Sequence, residues 1–375
     1  MEIELLLKTI ELIFTEPVNF STFNENIKLG CPILFLEYLI DNGIDHCQED
    51  NVALYTALVN GRVDIALFLL KNGANIFNVL NQSFIESVTN GHLLTTKLIL
   101  ETGSTLHGKE RALLIAVKNG DLEMVKLLID NGSNISKDIF VCSMTKYRDV
   151  PGSFANLELV QLLIDKGAII RSTWVNPLYY AVENNDINLA KLLIKNGVFN
   201  ETSQYVNLFN IVENDEQHFD ILKLLVEYGS QFNDDVLVNP SKNGCIRLVK
   251  LYLENGANVH GYGDGAIHFA AHKNKYDIVQ LLIDNGANLT SGLTGAIISR
   301  NIDMIYFLMS KGAKIDLGCM KIAVSYENEL KILLEYSIDK KIILDANSYA
   351  SLLPDYSNIG PLFKNYLKTR YNTTI

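Results

Sequence analysis

The stretch from Val279 to Leu289, V-Q-L-L-I-D-N-G-A-N-L, constrains this chain more than any other, because near-copies of it recur along almost the whole length. Ile278, Leu281 and Leu282 stand at i, i+3, i+4, which makes one apolar stripe on a 3.6-residue helix, with Asp284 and Asn285 on the wet side. Gly286 comes next. A helix that stops and reverses usually ends on a left-handed residue, where a Cβ costs roughly 1 kcal/mol and glycine costs nothing. The pattern predicts a short amphipathic helix with a glycine stop.

The same stop closes apolar helices at Gly43, Gly73, Gly103, Gly132, Gly167, Gly197, Gly229, Gly256, Gly286 and Gly312, at successive spacings of 30, 30, 29, 35, 30, 32, 27, 30 and 26 residues. A degenerate copy, L-K-I-L-L-E-Y-S, puts Ser337 where a glycine is expected. A chain of 375 residues would ordinarily suggest two or three globular domains. A period near 30 overrides that, since stacked units touch only their neighbours and share one continuous core.

Between stops there is room for two short helices and a connection. In the copy from Gly256 to Gly286, Gly261 to Gly265 reads as a turn, Ala266 to Lys273 as a first helix and Tyr276 to Asn285 as a second. The first helix uses small residues, Ala266, Ala270 and Ala271, and the same alanine recurs as Ala57, Ala116, Ala181 and Ala323. Small residues there let the next unit approach closely.

G-A-I-H-F-A-A followed by D-I-V-Q-L-L-I-D-N-G-A-N-L resembles the ankyrin repeat, whose first helix opens T-P-L-H-x-A-A and whose second ends L-L-x-x-G-A-x. Asn176 to Ala181, N-P-L-Y-Y-A, is the other clear copy, with Pro177 at the first helical position. The resemblance covers roughly residues 30 to 340 and implies an all-α ankyrin repeat solenoid of about eleven helix-turn-helix units. Residues 1–20 are expected to form an N-terminal capping helix, 21–340 the array, and 341–375 a degenerate repeat and C-terminal cap. A helix from Pro361 to Arg370 is expected in that cap, with proline at its start and basic residues at its end.

The ankyrin unit has 33 residues, whereas most units here have about 30. With both helices intact, the loss falls on the β-hairpin finger between units, so the fingers should be short or missing. The short period, the Asn-Ile-Lys bias and phrases such as K-L-L-I-D-N-G-S-N-I resemble the ankyrin proteins of giant DNA viruses of amoebae. The 38 asparagines read as codon bias of an AT-rich genome more than as physics. Two units are longer at the turn between their helices, at 147–154 and 213–218, through either neutral drift or function.

The net charge of −11, with Lys and Arg scattered singly, argues against a nucleic-acid partner, which needs a clustered basic face. Cys31, Cys47, Cys142, Cys245 and Cys319 lie far apart without a C-x-x-C pair, which fits a reducing compartment. No basic leader region and no apolar run of roughly 18 residues is present, so the chain is expected to be intracellular, cytoplasmic and free of membrane.

The residues that could carry chemistry have structural explanations. His268 and His272 stand at i, i+4 without an evident third ligand, and the resemblance gives His268 a turn-ordering role; His46-Cys47 is similarly isolated. No metal, cofactor or catalytic constellation is expected. Gly261 to Gly265 lacks the continuation of a phosphate-cradling loop. The pairs Lys118-Asn119, Glu183-Asn184 and His272-Lys273 occupy the position that faces the concave surface in ankyrin proteins, and are the candidate partner contacts. Trp174, Tyr179 and Tyr180 form the densest aromatic group. The expected function is a non-catalytic, monomeric protein-binding scaffold, its partner a host protein if the source is viral. The runner-up is a substrate adaptor for a host ubiquitin ligase, although the leucine-proline opening of an F-box-like tail is missing.

Overall fold

A computed structural model describes residues 20–102, 107–144, 156–170, 177–198, 208–210, 216–229, 231–336, 338–354 and 356–372. Residues 1–19 of the expected capping helix, the expected stops at Gly103 and Ser337, Trp174, the lengthened turn at 147–154 and residues 213–215 of the other lie outside them. Among the described residues every regular element is helical, and no strand forms where a finger would stand.

The chain divides into two compact units, one of Met1–Tyr180 with Leu192–Val198 and the other of Ala181–Lys191 with Phe199–Ile375. The first unit holds α1 (Phe20–Leu29), α2 (Ile33–Asp41), α3 (Gln48–Val59), α4 (Val63–Lys71), α5 (Leu80–Thr89), α6 (Leu93–Glu101), α7 (Lys109–Asn119), α8 (Leu122–Asp130), α9 (Lys137–Met144) and α10 (Leu157–Asp165). The division runs through α11 (Pro177–Glu183) and α12 (Ile187–Lys195). The second unit continues with α13 (Phe219–Glu227), α14 (Val238–Asn243), α15 (Ile246–Glu254), α16 (Gly261–His272), α17 (Tyr276–Asp284), α18 (Leu289–Ile298), α19 (Ile302–Ser310), α20 (Leu317–Ala323), α21 (Glu327–Leu333), α22 (Lys340–Ala350) and α23 (Tyr356–Tyr371).

Within each unit the packing is between neighbours. First helices stack on first helices, α3 on α5 on α7 and α14 on α16 on α18 on α20, while second helices stack separately, α4 on α6 on α8 and α15 on α17. The alanines of the first helices permit this. Ala57, Ala116, Ala270 and Ala323 are all fully buried. Two glycines mark the closest approaches: a Cβ would lie 1.9 Å from the carbonyl oxygen of Asp234 at Gly261 and 2.2 Å from that of His268 at Gly295.

Each second helix is buried on two sides, against its own first helix and against neighbouring second helices. In α17 the buried residues are therefore Ile278, Val279 and Leu282, while Leu281, expected in the stripe, is only half-buried. The helix ends as expected. Every described stop glycine has positive φ, between 80° and 101°. Gly286 N–H donates to the Ile283 carbonyl over 2.9 Å and Ala287 N–H to the Leu282 carbonyl over 2.9 Å, closing the carbonyls that the last turn would leave unpaired.

Asparagine contributes to the same closure. The Asn285 side-chain amide donates to the Leu281 carbonyl over 2.8 Å, and Asn131, Asn196 and Asn255 repeat the bond to Leu127, Leu192 and Leu251 at 2.8 Å. Part of the asparagine excess thus has a structural use that composition alone assigns to genome bias.

At the C-terminal end α23 starts at Tyr356, so Pro361 lies inside the helix and not at its first position. Its missing N–H leaves the carbonyl of Ser357 without a helical donor. The pair α22–α23 is tied to the preceding segment by Tyr366, whose hydroxyl donates to the Tyr336 carbonyl and accepts from Ile338 N–H, both at 3.0 Å.

Candidate functional site

The three candidate pairs end first helices at one register, α7, α11 and α16. Ala116 and Val117 precede Lys118, Ala181 and Val182 precede Glu183, and Ala270 and Ala271 precede His272, and all six are fully buried. Directly beyond them Lys118, Asn119, Glu183, Asn184 and Lys273 are exposed, and His272 is half-buried with its Nδ1 sealed from solvent. Lys118 and Asn119 belong to the first unit, the other four to the second.

Asn119 is also engaged in the stack. Its side-chain amide donates to the Thr89 carbonyl over 3.3 Å, and Asn90, one repeat earlier, donates to the Val59 carbonyl over 2.9 Å. Earlier still, Arg62 Nη2 donates to the Lys28 carbonyl over 3.1 Å. The carbonyls at the ends of successive first helices are thus capped by the following repeat. The recurring N-G at first-helix ends is the sequence signal for this ladder.

In the second unit a shallow groove of about 270 Å³ is lined by Tyr262, Gly263, Gly265, His268, Phe269, Ser291 and Thr294. Three consecutive residues at its rim, Tyr262, Gly263 and Asp264, are left-handed, with φ of 52°, 62° and 62°. This turn leaves the Tyr262 ring largely exposed, beside Gly265. His268 Nδ1 lies 3.2 Å from the Ser291 carbonyl and 3.1 Å from Thr294 Oγ1, and the Thr294 hydroxyl itself donates to Ser291 O. Since a carbonyl only accepts, Nδ1 carries the proton. The histidine therefore ties its repeat to the next one and does not order its own turn. Burial lowers its pKa from 6.5, against the Ser291 bond that raises it, and His272 lowers it further.

Tyr179 and Tyr180 meet edge to face at 5.6 Å between ring centroids. Burial pushes the Cys31 thiol up to about 11 and that of Cys319 up to about 12, and burial with the nearby Asp45 charge raises Cys47. A thiol so shifted is a poor nucleophile at neutral pH. The structure also brings the carboxylate of Asp45 beside the imidazole of His46 and the thiol of Cys47, the pair that the sequence alone leaves isolated. Among the described residues no helix is long and apolar enough to cross a membrane.

The helix pairs have a counterpart among known families. A family model described as ankyrin repeats in three copies matches residues 153–236, 208–292 and 237–319, and the single ankyrin repeat matches 110–138, together just over half of the chain. The chain belongs to the ankyrin repeat family. Ankyrin repeats are protein–protein interaction modules, typically without catalysis of their own. An ankyrin repeat protein of Acanthamoeba polyphaga mimivirus is 27% identical over 212 residues, covering 53% of this chain and 63% of that protein. A second mimivirus ankyrin protein is 24% identical over 140 residues, covering 36% and 38%. An ankyrin repeat domain-containing protein of monkeypox virus is 24% identical over 226 residues, covering 54% and 47%. This chain thus spans between 38% and 63% of the length of these curated relatives. The solved ankyrin repeat domain of human ASB11 matches at 21% identity with a TM-score of 0.28, covering 61% of this chain and 96% of that one, a score too low to carry over any position.

Proposed function

We propose that this ankyrin repeat chain is a non-catalytic scaffold that binds another protein through the concave surface formed at the ends of its first helices. The observation that carries the reading is the register of Lys118-Asn119, Glu183-Asn184 and His272-Lys273, which stand directly beyond fully buried alanine and valine positions. Within each unit, stacking buries the alanine and valine positions, and five of the six side chains beyond them are exposed. The residue types vary from repeat to repeat while the buried positions stay alike, which is how a stack presents a specific surface on a constant frame. The partner in this reading is a host protein, in keeping with the two ankyrin repeat relatives from a mimivirus of Acanthamoeba polyphaga.

Affinity capture with mass spectrometry from amoebal lysate, followed by binding measurements on the purified partner, tests this. The triple variant Lys118→Glu, Glu183→Lys and Lys273→Glu should lose the partner while keeping its helical signal. Unchanged partner binding would overturn the concave-face assignment.

A further inference from the structure

The turn between α2 and α3 carries three donors of different chemistry in succession. One ligand atom each from the Asp45 carboxylate, the His46 imidazole and the Cys47 thiol lie within 4.8 Å of one another. Asp45 is exposed and the other two are half-buried, so the group is open to solvent.

No other copy carries a carboxylate or an imidazole at the places of Asp45 and His46. Two residues after the stop glycine, four of the nine other copies carry asparagine, at Asn75, Asn134, Asn258 and Asn288, and the rest carry Thr105, Ile169, Phe199, Gln231 and Lys314; three residues after it all but Asn200 are apolar, among them Ile76, Ile135, Val259 and Leu289. Here those places hold Asp45 and His46. Asparagine already suffices for the local fold: Asn75, Asn258 and Asn288 accept a main-chain N–H two residues on, as Asp45 does from Cys47 N–H at 2.9 Å. The carboxylate and the imidazole are therefore not what the turn requires.

The second observation comes from outside the trio. His46 Nε2 lies 3.0 Å from the main-chain carbonyl of Asn72, the residue that ends α4 in the next repeat. A carbonyl cannot donate, so Nε2 bears the proton and Nδ1 keeps its lone pair. Nδ1 is then the nitrogen left for a metal, with the other nitrogen anchored on a carbonyl as second-shell partners anchor ligating histidines.

We infer that Asp45, His46 and Cys47 bind one divalent transition-metal cation of the zinc class, through a carboxylate oxygen, Nδ1 and sulfur, with water as the fourth ligand. Sulfur and imidazole disfavour magnesium and calcium, which take six or more oxygen ligands, whereas mixed N, O and S donors in fourfold coordination suit zinc. Metal–ligand bonds of about 2.0–2.3 Å place tetrahedral ligand atoms about 3.5 Å apart, so binding draws the group in from its span of up to 4.8 Å. On binding, the Cys47 S–H bond breaks, its proton passes to water, and the sulfur lone pair forms the metal bond.

Titration of the untagged full chain with cobalt(II) tests this. The expected result is one equivalent bound with a sulfur-to-cobalt charge-transfer band that zinc(II) abolishes. Cys47→Ser should remove the band, and His46→Ala and Asp45→Asn should each weaken binding by about tenfold or more. Asp45→Asn retains the turn acceptor that the other repeats use, so its effect reports on the ligand and not on folding. Absence of the band in the wild-type chain, or wild-type binding by any of the three variants with unchanged circular dichroism, would overturn the assignment.

Discussion

Arg300 places its Nε 3.6 Å from Oε1 of Glu329, a carboxylate only 2% exposed, reaching it from a left-handed backbone with φ of 58°. Glu329 is the third residue of α21, and the third residues of other second helices are apolar and buried, among them Met124, Leu159, Leu189, Ile278 and Met304. A charge thus stands in a core position, and its Oε2 is sealed without a hydrogen-bond partner among the described residues. Replacing a buried pair by an apolar residue of similar size is often stabilising. Glu329→Leu should raise stability by about 1–4 kcal/mol in denaturant unfolding, since Arg300 is 61% exposed and returns to water. A fall in stability would show that the pair is favourable as it stands.

Gly286 and Gly295 should respond to alanine for different reasons. At Gly286 a Cβ would meet nothing within 4 Å, so only the left-handed backbone with φ of 89° is strained, at a cost of about 1 kcal/mol. At Gly295 the backbone tolerates a side chain but the neighbouring repeat does not, and prising α18 from α16 should cost about 1–3 kcal/mol. Unfolding of the two single variants distinguishes the cases. Gly295→Ser should be worse still, whereas Gly286→Asn should recover part of the loss because asparagine visits the left-handed region.

Leu282→Ala removes a fully buried side chain from the second-helix stack and should cost about 2–5 kcal/mol. Because helices touch only their neighbours within a unit, the loss should stay local and unfolding should become visibly multiphasic. A single transition of unchanged shape, followed by circular dichroism and by fluorescence, would contradict this.

His268 predicts a pH effect. Its folded pKa is lowered from 6.5, so the unfolded chain binds the proton more readily and stability rises with pH through this window. The contribution is complete above the unfolded value and is lost as pH falls through the folded one. Stability measured between about pH 8 and 5 should therefore decline on the acid side, and His268→Gln should flatten that decline relative to the wild type. An identical acid limb in both proteins would remove His268 as its cause.

The period of the stop glycines, the two helices between them and the small residues that let repeats close on one another are all legible in V-Q-L-L-I-D-N-G-A-N-L and its copies. They are local properties: where a helix must reverse, which face is apolar, which side chain is small. The chain alone also places Lys118, Glu183 and Lys273 at first-helix ends, because register follows from the repeat length. Its reading erred at Leu281 and Pro361, where burial on two sides and an earlier helix start depend on what packs nearby.

Only the tertiary structure decided the contacts between repeats: the capping of first-helix carbonyls by Asn90 and Asn119, the forward reach of His268 to Ser291, the pairing of Arg300 with Glu329, and the carbonyl of Asn72 that sets the tautomer of His46. Each joins residues 23 to 31 positions apart. Local pattern reports the shape of one unit, whereas a hydrogen bond or charge pair across the stack exists only once two units are in register, and its geometry is set by how closely they approach.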